Sequence, residues 1–371
     1  MRPEIRRVGR DLILLCRKAV GIKPSYAEVA KLDRELLKVA ELHRLGAILG
    51  RGLSSNTVLS SSSRVQLASM KASAVGLDLE MGPHWLRVLG RLEDEVLAGR
   101  FRQPLVILKG AHLRRTVYRS KPYMRQMSDL DILVGDLDRS AVRSVLRSLG
   151  LSLGAARQPA FHRALQHDEP WFQRLPSGRH LKVDVHRGLM DTLRGAPSLD
   201  TLMQDSEVFP GFEGLRALSP VHSAVHCALH LATDDFSGSL RSLIDLDLLI
   251  QTQELRASDF AHDDRVVRRA TGALFMAFTI LDNFMKDVDD RYDSFQRGLK
   301  LTRSRRRVLK GLIDYERLVM GRTSPLEGIR KFMVQTATIQ PWPHRLAYPC
   351  YQSAVLGFKA ARGFYTKIVS P

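Results

Sequence analysis

The chain has 371 residues, 44% of them hydrophobic and 26% charged. This is the composition of a folded protein with a sizeable core, and at roughly 150 residues per domain it allows two to three domains. The formal charge of +18 favours an acidic partner, whether nucleotide phosphates, nucleic acid or an anionic membrane surface, without choosing among them.

The start, MRPEIRRVGRDLILLCRKAVG, is basic, but its apolar run is only Leu12 to Cys16. That is too short for a signal sequence, and no segment approaches the ~20 apolar residues of a membrane span. Cys16, Cys227 and Cys350 are far apart and outside any CxxC spacing, so a reducing cytoplasm is expected rather than a disulfide framework or zinc ribbon. YAEVAKLDRELLKVAELHRLGAILGRG repeats apolar residues at helical spacing and ends in glycine. The serine-rich LSSNTVLSSSSR reads as a loop, and Val65 to Gly99 returns to a helical pattern.

The period then changes. PLVILKG (Pro104 to Gly110) reads as a short buried strand and AHLRRTVYR as a helix starting at the glycine. SDLDILV (Ser128 to Val134) reads as a second strand. DLDRSAVRSVLRSLG predicts a helix with Asp138 as N-cap and Gly150 as C-cap. WFQRL and HLKVDVH, joined by the turn chemistry of PSGR, predict a hairpin. From Ser219 onward the pattern is helical, with Pro341 to Pro349 as a break before a last amphipathic helix. The layout is α+β: a small mixed-sheet core over residues 101–215, an N-terminal helical region over 1–100 and a C-terminal helical domain over 216–371.

Side chains alternate faces along a strand, which puts Asp129 and Asp131 on one face and Leu130, Ile132 and Val134 on the other. Two neighbouring carboxylates repel unless a cation sits between them. Magnesium prefers carboxylate oxygens together with substrate phosphates, so this DxD reads as a divalent-metal clamp. Asp184 in LKVDVH has similar placement and reaches the same pair if its strand lies alongside. Upstream, Gly110 joins a strand to a helix start.

The ordered set is strand–Gly–helix, a strand bearing DxD, then a strand bearing a third Asp. It resembles the DNA polymerase β-like nucleotidyltransferase superfamily. LKGAHL, YMRQMSDLDILV, VDVH and the later LSPVHSAVHCALHLA…LRSLIDLDLLI look like its uncharacterised bacterial nucleotidyltransferases, best over Leu105 to Ile250. The resemblance implies a polymerase β-like core and Mg²⁺-dependent, two-metal transfer of an NMP from an NTP (ATP foremost) to an acceptor hydroxyl, with release of pyrophosphate. Mn²⁺ is an alternative ion. By motif position Asp129 and Asp131 match the metal-binding pair, Asp184 the third carboxylate and Gly110 the phosphate-loop glycine. Ala111 stands where the superfamily usually has Gly or Ser. Lys109 and Arg125 flank the site as candidate triphosphate ligands, and Arg125 looks like the arginine that precedes this motif in the family.

Other polar residues have blander readings. Asp136 and Asp138 fall after the strand, in loop and cap positions. His222, His226 and His230 share one helix face at i, i+4, i+8, but HExxH is absent, and they are expected as border hydrogen-bonders of a packed helix. Asp245 and Asp247 form a second DxD in helical surroundings, with Asp245 expected to pair with Arg241. Asp234 and Asp235 are further acidic candidates. His186 is expected on the face of its strand opposite Asp184, in a structural role. His162 and His167 precede the hairpin, where an acceptor could sit. The basic knot Lys300 to Lys310 reads as a solvated helix face.

The acceptor stays open among protein or peptide, RNA and small molecules. No RRM, KH or zinc-knuckle signature is present, and aromatics are 7%. Two other classes remain: a catalytically silent nucleotide-binding module, suggested by Ala111, and a nucleic-acid binder with structural carboxylates.

Overall fold

The computed structural model describes residues 1–22, 34–53, 59–154, 168–189, 199–234, 236, 240–260, 264–321 and 327–338. Asp235, His162, His167, Cys350 and the last amphipathic helix lie outside the described residues.

Four helices precede the sheet: α1 (Pro3–Ala19), α2 (Arg34–Leu42), α3 (Gly46–Gly52) and α4 (Ser61–Leu97). Pro3 opens α1, where its missing N–H costs nothing, and Ile5, Val8, Leu12, Leu15 and Ala19 form its buried stripe. The serine-rich segment is not all loop. Ser60 caps α4 by accepting from the Ser63 amide at 3.1 Å, so the helix begins at Ser61 rather than Val65. A serine hydroxyl can satisfy an orphan N–H at a helix start, which hydropathy spacing does not register.

The central segment contributes β1 (Val106–Ile107), α5 (Lys109–Arg115), β2 (Leu130–Leu133), α6 (Arg139–Ser148), β3 (Ser152–Leu153), β4 (Asp168–Arg174), β5 (His180–His186), α7 (Leu199–Gln204), β6 (Glu207–Val208) and β7 (Arg216–Ala217). The strands form one mixed sheet in the order β3-β4-β5-β2-β1-β7-β6. β2 runs parallel to β5 and antiparallel to β1. The hairpin of β4 and β5 turns at Gly178, whose φ of +85° suits glycine. Leu130, Ile132, Leu181, Val183 and Val185 turn one sheet face into a core with Leu89 and Leu92 of α4 and Val142 and Leu146 of α6.

The remaining helices are α8 (Pro220–Thr233), α9 (Leu240–Thr252), α10 (Arg265–Met285), α11 (Arg291–Gly298), α12 (Arg303–Gly311), α13 (Tyr315–Met320) and α14 (Glu327–Thr338). α1, α2 and α3 share a continuous hydrophobic core with α8, α9 and α10, so the two flanks of the sequence meet in space. Arg17 of α1 donates to both carboxylate oxygens of Asp247 in α9, at 2.9 and 2.6 Å. Gly9 lets α1 approach the Phe284 ring, which a Cβ would meet at 2.7 Å. In the basic knot, Arg306 donates to the carbonyl oxygens of Leu299 and Leu301. Among the described residues, no helix is long and apolar enough to cross a membrane.

Candidate active site

β2 and β5 pair in a register that sets Asp131 opposite Asp184 and Leu133 opposite His186. The alternation that sends Leu130 and Ile132 into one core turns Asp131 to the other face. Lys182, Asp184 and His186 alternate with Leu181, Val183 and Val185 and share that second face. His186 lies two residues beyond Asp184, so a strand period of two puts both side chains on one side. The expectation that His186 faces away is therefore corrected. One donor atom each from Asp131, Asp184 and His186 lies within 4.8 Å of the others.

Asp129 precedes β2 by one residue and is partly exposed. It accepts from the Ser128 hydroxyl at 3.1 Å and lines the same cavity as Asp131. Asp129 thus stands at the mouth, while Asp131 and Asp184 are buried, each 4% exposed.

Burial pushes the Asp131 carboxyl up, but the Lys109 charge and the His186 hydrogen bond outweigh it and hold this group well below the usual carboxylate range. Lys109 Nζ is 3.6 Å from Asp131 Oδ1, and His186 Nε2 is 2.6 Å from the same oxygen. Asp184 differs. Burial raises it, and the neighbouring Asp131 and Asp129 add to the rise, while Lys182 opposes it. Lys182 Nζ donates to Asp184 Oδ2 at 2.5 Å and sits 3.5 Å from Asp129 Oδ2, a fixed cation between two carboxylates. Asp184 Oδ1 is buried with no hydrogen-bond partner among the described residues. An orphaned buried carboxylate oxygen beside a second carboxylate and an imidazole fits a divalent cation.

The strand-to-helix junction lies against this face. Lys109 takes φ +37°, a left-handed value uncommon for a side-chain-bearing residue. Gly110 is needed for space: a Cβ there would meet Met127 Cγ at 2.9 Å. Ala111 lines a neighbouring cavity of about 600 Å³ with Trp85, Leu89 and Arg114. Arg125 borders the carboxylate cavity, yet its Nε donates to Asp245 Oδ2 at 2.7 Å and its Nη1 to the Gln126 carbonyl at 2.7 Å.

The second DxD is structural. Asp245 takes Arg125 and the Tyr118 hydroxyl, not the expected Arg241, while Asp247 takes Arg17 and Tyr292. Residues two apart on a helix face different directions, so these carboxylates serve different contacts. The three histidines also go separate ways. His222 Nε2 meets Asp264 at 2.8 Å, and His230 Nδ1 meets Asp234 at 3.2 Å. His226 is buried, and burial first, with the Lys109 charge second, pushes it well below its ordinary value. Asp138 precedes α6 without capping it; its oxygens accept instead from the Arg102 and Gln103 amides at 2.9 and 2.8 Å. Asp136 is an exposed partner of Arg139.

Residues 31–279 match the family model described as “Uncharacterised nucleotidyltransferase”. No curated protein matches the chain, and no solved structure does.

Proposed function

The chain belongs to the uncharacterised nucleotidyltransferase family, and on that premise we propose that it moves a nucleoside monophosphate from an NTP, ATP first, to an acceptor hydroxyl. The observation that carries this reading is the β2–β5 register, which sets Asp131 against Asp184. In the proposed step the acceptor oxygen bonds to the α-phosphorus, the bond to the β-phosphate oxygen breaks, and pyrophosphate leaves.

Asp129, Asp131 and Asp184 hold the divalent cations, Mg²⁺ or Mn²⁺. When bound, such ions neutralise charge on the entering and leaving oxygens. His186 orients Asp131 through the 2.6 Å bond, as hydrogen bonds to metal-binding carboxylates do. Asp184 also helps accept the hydroxyl proton. Lys182 links Asp129 and Asp184 and offsets part of their mutual repulsion. Lys109 and the backbone at Gly110 and Ala111 approach the phosphates. Catalysis is then chiefly positioning and charge neutralisation.

The positive balance supports an acidic or RNA acceptor, with a protein or peptide equally open. The buried free thiols Cys16 and Cys227 support a cytoplasmic setting. The silent-module alternative rests on Ala111, but Ala111 lines the neighbouring cavity rather than the carboxylate one. The full carboxylate set supports the enzyme. Incubation with α-labelled ATP, GTP, CTP and UTP, cell extract and Mg²⁺ or Mn²⁺ tests the reading. Label in a protein, RNA or small-molecule fraction names the acceptor class; folded protein with no labelled product under any condition overturns it.

A further inference from the structure

The carboxylate cavity, about 320 Å³, is not built by the sheet alone. Its lining includes Leu42, His43 and Arg44 from the α2–α3 junction and His230, Arg241 and Ser242 from α8 and α9, together with Lys109, Ser128, Asp129 and Asp131. The cations here divide into two groups. Arg125 is held by Asp245, Lys109 faces Asp131 and His230 meets Asp234. Among the described residues Arg241 and Arg44 have no ion-pair carboxylate, and Arg241 Nη1 is buried without a hydrogen bond.

An unpaired buried guanidinium N–H is costly, and nearby like charges add to the cost. Burial, then the charge of Arg125 and more weakly that of Arg44, lower the Arg241 guanidinium to about 9 against the pull of Asp245. Arg44 reaches the cavity from a left-handed backbone, φ +55°, and Lys109 also has positive φ. Side-chain-bearing residues hold such angles where the surroundings impose them. A cavity lined by Asp129 and Asp131 together with Arg241, whose Nη1 is buried, and the exposed Arg44 suits a ligand that carries cations at one end and several negative charges at the other.

We propose that Arg241 and Arg44 form a seat for a polyphosphate, the two phosphates of the NTP that leave as pyrophosphate. This rests on the transfer reading for the identity of the ligand. The planar guanidinium fork matches phosphate oxygens, and the two arginines come from segments that precede and follow the sheet in the sequence. The helical flanks are then part of the binding site: the packing of α1–α3 on α8–α10 brings the two arginines to one cavity. The seat selects triphosphates over monophosphates, because a monophosphate brings no β- or γ-phosphate for the arginines to hold.

The test is calorimetric titration of the full chain with pyrophosphate in EDTA, for wild type, Arg241→Gln, Arg241→Lys and Arg44→Gln. Loss of one charged hydrogen-bond donor set should weaken pyrophosphate binding about tenfold in each glutamine variant, with Arg241→Lys between. ATP affinity should fall alike and AMP affinity should not. Arg241→Gln should melt no lower than wild type without anion, since it removes a buried Nη1 that has no hydrogen bond among the described residues. Unchanged pyrophosphate affinity in both glutamine variants overturns the seat. Equal losses for AMP, orthophosphate and ATP also overturn it, assigning the arginines to the transferred or acceptor phosphate. The titration needs no turnover. Arginine-dependent pyrophosphate binding without any labelled transfer would sink the enzyme reading and leave the seat; labelled transfer with arginine-independent binding would do the reverse.

Discussion

Arg125 and Asp245, 120 residues apart in the chain, meet as a buried ion pair at 2.7 Å. The Tyr118 hydroxyl donates to the other Asp245 oxygen at 2.8 Å. The segment just before the DxD is thereby tied to α9. Asp245→Ala leaves a buried guanidinium without its counter-charge, and a stability loss of roughly 3–5 kcal/mol is expected. Urea denaturation measures it. A loss below about 1 kcal/mol would show that Arg125 has another partner of equal worth.

Asp131→Asn and Asp184→Asn should each lower the rate of nucleotide transfer about a hundredfold or more, since each removes a cation-holding oxygen. Folding should survive in Asp184→Asn, because burial already disfavours the charged form of that carboxyl. Near-ultraviolet circular dichroism with a labelled-NTP assay checks both points. Full turnover in either variant would place the chemistry elsewhere.

His186→Gln should raise the Mg²⁺ or Mn²⁺ concentration needed for half-maximal transfer about 10- to 100-fold, the usual range for an orienting partner of a metal ligand. The measurement is a metal titration of the initial rate. An unmoved midpoint would show that the 2.6 Å contact with Asp131 is structural only.

His112 is buried, which lowers it to about 4, and its Nδ1 lies 3.1 Å from the Ser223 hydroxyl. An unfolded histidine titrates near 6.5, so between the two values the unfolded chain binds the extra proton. The contribution of neutral His112 is therefore complete above about pH 6.5 and is lost as pH falls toward 4, by up to about 3 kcal/mol. Denaturation midpoints of wild type and His112→Gln at about pH 7.5 and pH 5 test this: wild type should lose more. Parallel losses would remove His112 as a source.

Much of the carboxylate face could be read from local pattern. Leu130 and Ile132 alternate with Asp131, and Leu181, Val183 and Val185 alternate with Lys182, Asp184 and His186. The same count places His186 beside Asp184, so that assignment was available from the sequence and was missed by one step of the alternation. Strands of two residues, such as β3, β6 and β7, are too short to show any period. The start of α4 was hidden because a serine cap has no hydropathy signature.

By itself, the sequence determined which residues can share a face, because backbone geometry sets periods of 2 and 3.6 within a segment. It also supplied the ordered motif that marks the core. Only the tertiary structure decided which faces meet. The parallel pairing of β2 with β5 puts Asp131 against Asp184. Asp245 takes Arg125 rather than the nearby Arg241, and Arg44 and Arg241, nearly two hundred positions apart in the numbering, line one cavity. These relationships depend on contacts between segments distant in sequence, where the burial of apolar faces and the pairing of buried charges choose the partner, and no local period encodes that choice.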